Sequence, residues 1–161
     1  MRVNTSIQYG VRAVFDIAFN SQGKPLSIRE IAKRQKISPN YLEQIFHRLK
    51  KSELVKSRKG PGGGFILGKN PEEITLGEII RAVEGPIQLV FCVGEQSKKQ
   101  KCKLTDQCVT TFVWRELGDK IANFFDSITI GQLCRKGEAL GIKRRVFKED
   151  LNKVIDLAAG Y

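Results

Sequence analysis

Apolar positions along this chain fall first into three short helical stripes, then a brief alternation, then one long seam. Asn4, Thr5 or Ser6 can cap a first helix that runs to about Asn20. Its residues Ile7, Val11, Val14, Phe15 and Ala18 sit at i, i+4, i+7, i+8 and i+11, a single core-facing stripe. Ser21 to Pro25 reads as a turn. Ser27 opens a second helix, with Glu30 three residues on as the reciprocal partner of a capping box. That helix points Ile28, Ile31 and Ala32 inward and ends near Lys36, and Ile37 fills the turn that follows. Ser38-Pro39 is a start signal, a cap residue followed by a proline at the first helical position. The third helix, Pro39 to Ser52, buries Leu42, Ile45, Phe46 and Leu49 and shows Asn40, Tyr41, Glu43, Gln44, His47 and Arg48 on its other face.

Two short helices joined by a tight turn, the second polar-faced and basic at its end, predict a helix-turn-helix. Leu54 to Lys59 then alternates, meets Gly60-Pro61-Gly62-Gly63-Gly64, and resumes as Phe65-Ile66-Leu67, which predicts a hairpin with a Gly/Pro tip. Helix-turn-helix plus hairpin is a winged helix. Thr75 or its neighbour caps a further helix carrying Leu76, Ile79, Ile80 and Val83, stopped by Gly85-Pro86. From Val109 to about Ile128, the residues Val109, Val113, Leu117, Ile121, Phe124 and Ile128 follow spacings of 4, 4, 4, 3 and 4, widened by Trp114 and Phe125. With no second helix to cover this seam, a partner copy is the expected cover. The expected fold is mainly α with a small β-wing. It divides into a winged head over 1–85, a cysteine-bearing loop over 86–108, a dimerisation helix over 109–130 and a C-terminal extension over 131–161. Within that extension KEDLNKVIDLAA reads as a helix, and Lys143-Arg144-Arg145 is a basic run without an assigned role.

Charge sharpens the picture because of where it lies. The net charge is +11, and residues 1–70 hold 14 Lys and Arg against 4 Asp and Glu, whereas residues 71–161 hold 14 against 13. A half-molecule this lopsided points to a polyanionic partner. If that partner is double-stranded DNA, the third helix enters the major groove with Ser38, Asn40, Tyr41, Glu43 and Gln44 at base edges and Arg48 further along. Arg58, Lys59, Gly60 and Gly62 at the hairpin tip can approach the backbone or minor groove, and Arg2 joins this set. No GxxxxGK[ST] run and no GxGxxG opening a helix accompanies the glycines, which excludes the usual nucleotide cradles. No Ser/His/Asp constellation is present, and the only histidine, His47, lies on the reading helix, so an enzyme is not expected. No apolar run approaches the ~20 residues of a membrane span. The N-terminal segment lacks the apolar core and cleavage site of a signal peptide, and a cytoplasmic protein is expected.

Four cysteines, Cys92, Cys102, Cys108 and Cys134, in a reducing compartment suggest metal or redox chemistry before a disulfide framework. Cys92-x9-Cys102-x5-Cys108 places three thiols in one Lys-rich segment. Thiolates are soft donors suited to an iron–sulfur cluster, zinc or copper(I). Lys98, Lys99, Lys101 and Lys103 favour the thiolate form and offset the charge of a cluster. Structural zinc usually has four protein ligands in paired knuckles, which are absent, so wide spacing with an incomplete shell favours a cluster. Three unliganded thiols are the plainest alternative. His47 reads as DNA-facing or half-buried rather than a ligand, and Cys134 as an ordinary thiol.

The run ISPNYLEQIFHRLKKSELVKSRKGPGGGFILGKNPEEITLGEIIRAVEG resembles the IscR-like, Rrf-type winged-helix transcription regulators, over roughly residues 1–130. The glycine-rich wing followed by ITLGEIIRAVEG is the specific part. The resemblance implies a homodimer on a near-palindromic operator, and an iron–sulfur cluster on Cys92, Cys102 and Cys108, 2Fe–2S ahead of 4Fe–4S. It places Ser38, Tyr41, Glu43 and Gln44 on the recognition helix and Arg58 and Lys59 at the wing tip, where Lys59 stands in place of the family's usual arginine. The chain also departs from the pattern. Nine residues separate the first two cysteines instead of five, Thr111 stands where some relatives have a histidine ligand, and Gln8 where others have a carboxylate. The fourth ligand is therefore open among Thr111, Gln8, Glu95, Asp106, Cys134 and an exogenous water or thiol. The function expected is a transcription regulator whose operator binding follows iron–sulfur or redox status. The alternatives are a winged-helix regulator using zinc or thiol/disulfide chemistry without iron, and a module that docks on a protein partner.

Overall fold

The computed structural model describes residues 4–93 and 107–145. Its elements in order are α1 (Thr5–Asn20), α2 (Ile28–Gln35), α3 (Pro39–Lys51), β1 (Val55–Arg58), β2 (Gly64–Leu67), a 3₁₀ turn (Pro71–Glu73), α4 (Leu76–Glu84), α5 (Thr110–Asp126) and α6 (Ile130–Ala139). The Asn4 side chain accepts from the Ser6 amide to start α1. Ser27 and Glu30 close a reciprocal capping box on α2, and Thr75 and Glu78 close another on α4. Lys36 ends α2 in the left-handed conformation, φ 54°, turning the chain directly into α3. The mainly α winged helix expected from the pattern is the observed fold.

α1 is the axis of the head and packs against α2, α3, α4, α6 and β2. Val14, Ile17, Ile31, Leu42, Leu49, Leu54, Ile79 and Ile130 are fully buried in one cluster. Each such side chain contributes about 1.5–3 kcal/mol of transfer free energy. One charged residue is buried with them. Asp16, 0% exposed, accepts two hydrogen bonds from Arg34 Nε (3.1 and 2.9 Å), one from Arg34 Nη2 (2.7 Å), one from Gln35 Nε2 (2.8 Å) and one from Asn20 Nδ2 (3.0 Å). This network, together with Arg12 donating to the Gln35 backbone carbonyl, locks α2 onto α1.

The wing is a two-stranded antiparallel sheet with Val55 opposite Leu67 and Arg58 opposite Gly64. An isolated bridge from Leu26 to Phe65 ties its inner strand to the segment before α2. A second bridge joins Thr75 to Thr129, with the Leu76 amide donating to the Ile128 carbonyl and the Ile130 amide to the Ile74 carbonyl, both at 2.9 Å. The chain that leaves the head after α4 therefore returns to it at the start of that same helix.

α6 was not anticipated in the stretch assigned to an extension. It completes the head: Ile130 is fully buried, and a Cβ on Gly137 would lie 3.3 Å from the Phe19 ring. Its inward face is Ile130, Leu133, Cys134 and Gly137, too small and polar a stripe to register as a core helix. The helix expected at KEDLNKVIDLAA lies outside the described residues. α5 forms over most of the anticipated span, but ends at Asp126, so Ile128 of the seam belongs to the connection into α6. None of its residues is buried, and Phe112, Val113, Leu117 and Phe124 are exposed. Among the described residues, no helix is long and apolar enough to cross a membrane.

Candidate nucleic-acid interface and cysteine site

Burying Leu42, Ile45, Phe46 and Leu49 fixes which side of α3 faces outward. Asn40, Glu43, Gln44, His47 and Arg48 line one shallow depression on that side. Ser38, at the N-cap, is exposed and its hydroxyl makes no capping bond, so it is available to an external acceptor. Two of the anticipated residues also make contacts within the head. Tyr41 is half-buried against the core, its ring edge-on to Tyr9 at 5.7 Å between centroids. The Arg48 guanidinium donates to the Val83 carbonyl in the last turn of α4. A cation on that carbonyl suits the negative end of the helix and ties α3 to α4.

At the wing, Arg58 and Lys59 are exposed, and Gly60 and Gly62 take φ of +99° and +74° at the tip. A side chain is disfavoured in that backbone region, so the tip stays narrow. Arg2 lies outside the described residues.

Cys92 follows the segment that leaves α4 at Gly85, and Cys108 precedes α5. Both are half-exposed, and Cys102 lies outside the described residues. The Cys108 thiol lies 3.0 Å from the Thr110 hydroxyl, and the Thr111 amide donates to the Cys108 carbonyl at 3.1 Å. Hydrogen bonding from Thr110 first, then Thr111, lowers its pKa to about 7. Thr111 thus stands beside Cys108. Cys134 sits on α6, half-buried against the core, and burial pushes its thiol up. Among the described residues no three His, Cys, Asp or Glu side chains gather as a metal-binding group; the three-cysteine set depends on Cys102. Of the other candidate ligands, Glu95 and Asp106 also lie outside them.

The profile of a family described as "Rrf2: Iron-dependent Transcriptional regulator" matches residues 3–136. The chain belongs to the Rrf2 family. It is 40% identical over 150 residues to the HTH-type transcriptional regulator IscR of Escherichia coli (strain K12 / DH10B), covering 93% of this chain and 90% of that one. Among solved structures it is similar to T. potens IscR, with TM-score 0.71 and 34% identity over 90% of this chain and 94% of that one. It is also similar to CymR, the global cysteine regulator of B. subtilis, with TM-score 0.67 and 31% identity over 84% and 98%. As a member of this Rrf2 family the protein is a DNA-binding transcription regulator and not an enzyme.

Sequence reasoning about this Rrf2 chain did not single out Asp16, Arg34 or Glu84. Glu84 accepts from Asn4 Nδ2 at 2.7 Å and from the Ser6 hydroxyl, so the C-terminal turn of α4 gathers bonds from both α1 and α3. The signal for Asp16 was slight: it is the one carboxylate of α1, and it lies off the predicted apolar stripe. Glu84 and Arg48 carried none, because their partners are 78 and 35 residues away.

Proposed function

We propose that the protein is a homodimeric, cytoplasmic regulator that reads a near-palindromic operator and reports iron–sulfur or redox status through Cys92, Cys102 and Cys108. The observation that carries this reading is the shared support. The segment bearing Cys92 springs from the C-terminal turn of α4, where the reading helix is anchored by Arg48. A change in how the cysteines are held would reach α3 through a single intermediate helix.

The donor chemistry fits a cluster. Cys92 and Cys108 are accessible thiols, and Cys108 is already shifted towards thiolate at the start of α5, where the positive end of the helix favours an anion. Cys92, Cys102 and Cys108 would hold it, 2Fe–2S by preference, with the fourth position left to one of the other candidates. A bound iron–sulfur cluster supplies a redox-active centre that oxygen or nitric oxide can alter. The protein's own part is to turn that state into a placement of α3 and the wing. Asn40, Glu43 and Gln44 would meet base edges, with Ser38 on a phosphate or base and Arg58 and Lys59 at the minor groove. The exposed apolar face of α5 would meet its symmetry mate, setting the spacing of the two heads.

The test is protein purified without oxygen, with visible absorption, iron and acid-labile sulfide read on one sample, and operator affinity before and after cluster removal. Absorption between roughly 320 and 600 nm with matching iron and sulfide is the expected outcome. Colourless protein that resists anaerobic reconstitution would remove the cluster. The thiolate character of Cys108 would then support a thiol-based or zinc-holding regulator on the same winged head.

A further inference from the structure

The chain beyond α6 turns back onto the head, and its placement is specific. The Arg145 amide donates to the Asn20 side chain at 2.8 Å. Arg144 lies over the Phe19 ring, 5.5 Å from its centroid, and its guanidinium meets Glu138 at 2.5 Å. Arg144 is thus the anchor, spent on an aromatic face and a carboxylate. Its neighbours Lys143 and Arg145 are exposed, and among the described residues neither has a carboxylate within ion-pair distance.

These two cations lie along the flank of α2. Lys143 lines a groove with Arg12, Gln35 and Lys36, at the turn into the reading helix. Arg145 lines both that groove and a second one with Lys24, Gly62 and Gly63, beside the turn of the wing. In a helix-turn-helix the first helix of the pair crosses the nucleic-acid backbone while the second enters the groove. A basic run that spans from the turn before α3 to the wing follows the line of that crossing.

We propose that Lys143 and Arg145 are phosphate-contacting residues, a third element of the DNA interface beside α3 and the wing. The ligand is the phosphate backbone of duplex DNA, and the contribution is independent of sequence. The inference rests on the reading that α3 and the wing face DNA. It adds that the post-α6 segment is folded against the head so that its charge is delivered at a fixed place.

The experiment is a salt titration of operator and random-sequence duplexes with full-length K143Q/R145Q, leaving Arg144 in place as the anchor. R58Q/K59Q is measured beside it, and so is the charge-keeping K143R/R145K. Each lost phosphate contact removes about 0.9 from the slope of log affinity against log salt, so K143Q/R145Q is expected to flatten it by about 1.8 per protomer. At about 0.1 M salt that corresponds to weakening by roughly 60-fold per protomer for both duplexes, with the ratio between them unchanged. K143R/R145K is expected to keep the parental slope. An unchanged slope in K143Q/R145Q alongside a flattened one in R58Q/K59Q overturns the inference and leaves the α3–wing reading standing. Unchanged slopes in both variants overturn that reading and the inference with it. A loss confined to the operator duplex also overturns it, because a phosphate contact cannot distinguish sequence.

Discussion

Replacing Asp16 by alanine removes the acceptor at the centre of the α1–α2 lock and leaves the guanidinium of Arg34, whose side chain is only 6% exposed, without its carboxylate. The amides of Asn20 and Gln35 lose an acceptor in the same step. Removing one member of a buried pair costs about 3–5 kcal/mol, far more than the net worth of the pair, because the orphaned charge keeps its desolvation penalty. Against a typical stability of about 5–15 kcal/mol that is a large fraction. For a chain of this size it corresponds to a melting temperature lower by roughly 6–20 °C. The assay is reversible urea unfolding of the wild type, D16A, R34M and the double variant. The double variant should recover more than half of the D16A loss, because no buried charge is then left unmatched. A D16A loss below about 1 kcal/mol, or a double variant whose losses simply add, would refute the reasoning. It would show that the pair is solvated in practice despite its burial.

Three further outcomes follow from the same geometry. Gly77→Ala would place a Cβ 1.8 Å from the Asp126 carboxylate and 2.9 Å from Arg81, splitting the ion pair that holds the end of α5 to α4. The loss should be about 1–3 kcal/mol, with faster amide exchange concentrated at the end of α5; an unperturbed melt would contradict it. In metal-free protein the alkylation rate of Cys108 should be half-maximal near pH 7, falling below that pH as the thiolate is protonated, and Thr110→Val should move the midpoint upward. A midpoint in the ordinary thiol range for the wild type would count against the Thr110 contact. Leu117→Glu, on the exposed face of α5, should shift sedimentation towards the monomer without changing the melt of the head. Unaltered sedimentation would count against the proposed pairing through α5.

Local signals made most of the head legible in advance. Ser27 with Glu30, and Ser38 with Pro39, are complete within four residues, and the structure starts α2 and α3 at those positions. The wing followed from a glycine tip between alternating segments. What stayed hidden were pairings over long separations. Nothing near Arg48 in the sequence announces its bond to Val83, 35 residues away. Tyr41 falls on the polar face by periodicity, yet the Tyr9 ring draws it inward. α6 buries small residues against two phenylalanines, a complementarity of shape that a hydrophobic pattern does not encode. At the cysteine site the residue types were legible, whereas the influence of Thr110 and Thr111 on Cys108 needed the geometry at the start of α5.

The bridge between Thr75 and Thr129 has a bearing on how such a chain can vary. The stretch from Gly85 to Ile128 begins at one end of α4 and is hydrogen-bonded back at the other. For a helix of nine residues those ends stand only about 13 Å apart. Everything between them is therefore an insertion with both feet planted on a single helix. Length can be added inside it for a slowly growing entropic cost, about 0.6 kcal/mol per doubling, without moving either foot. The nine residues between Cys92 and Cys102 lie within that stretch. Between these two feet the stretch can change in length while the head keeps the same hydrogen bonds at either end of α4.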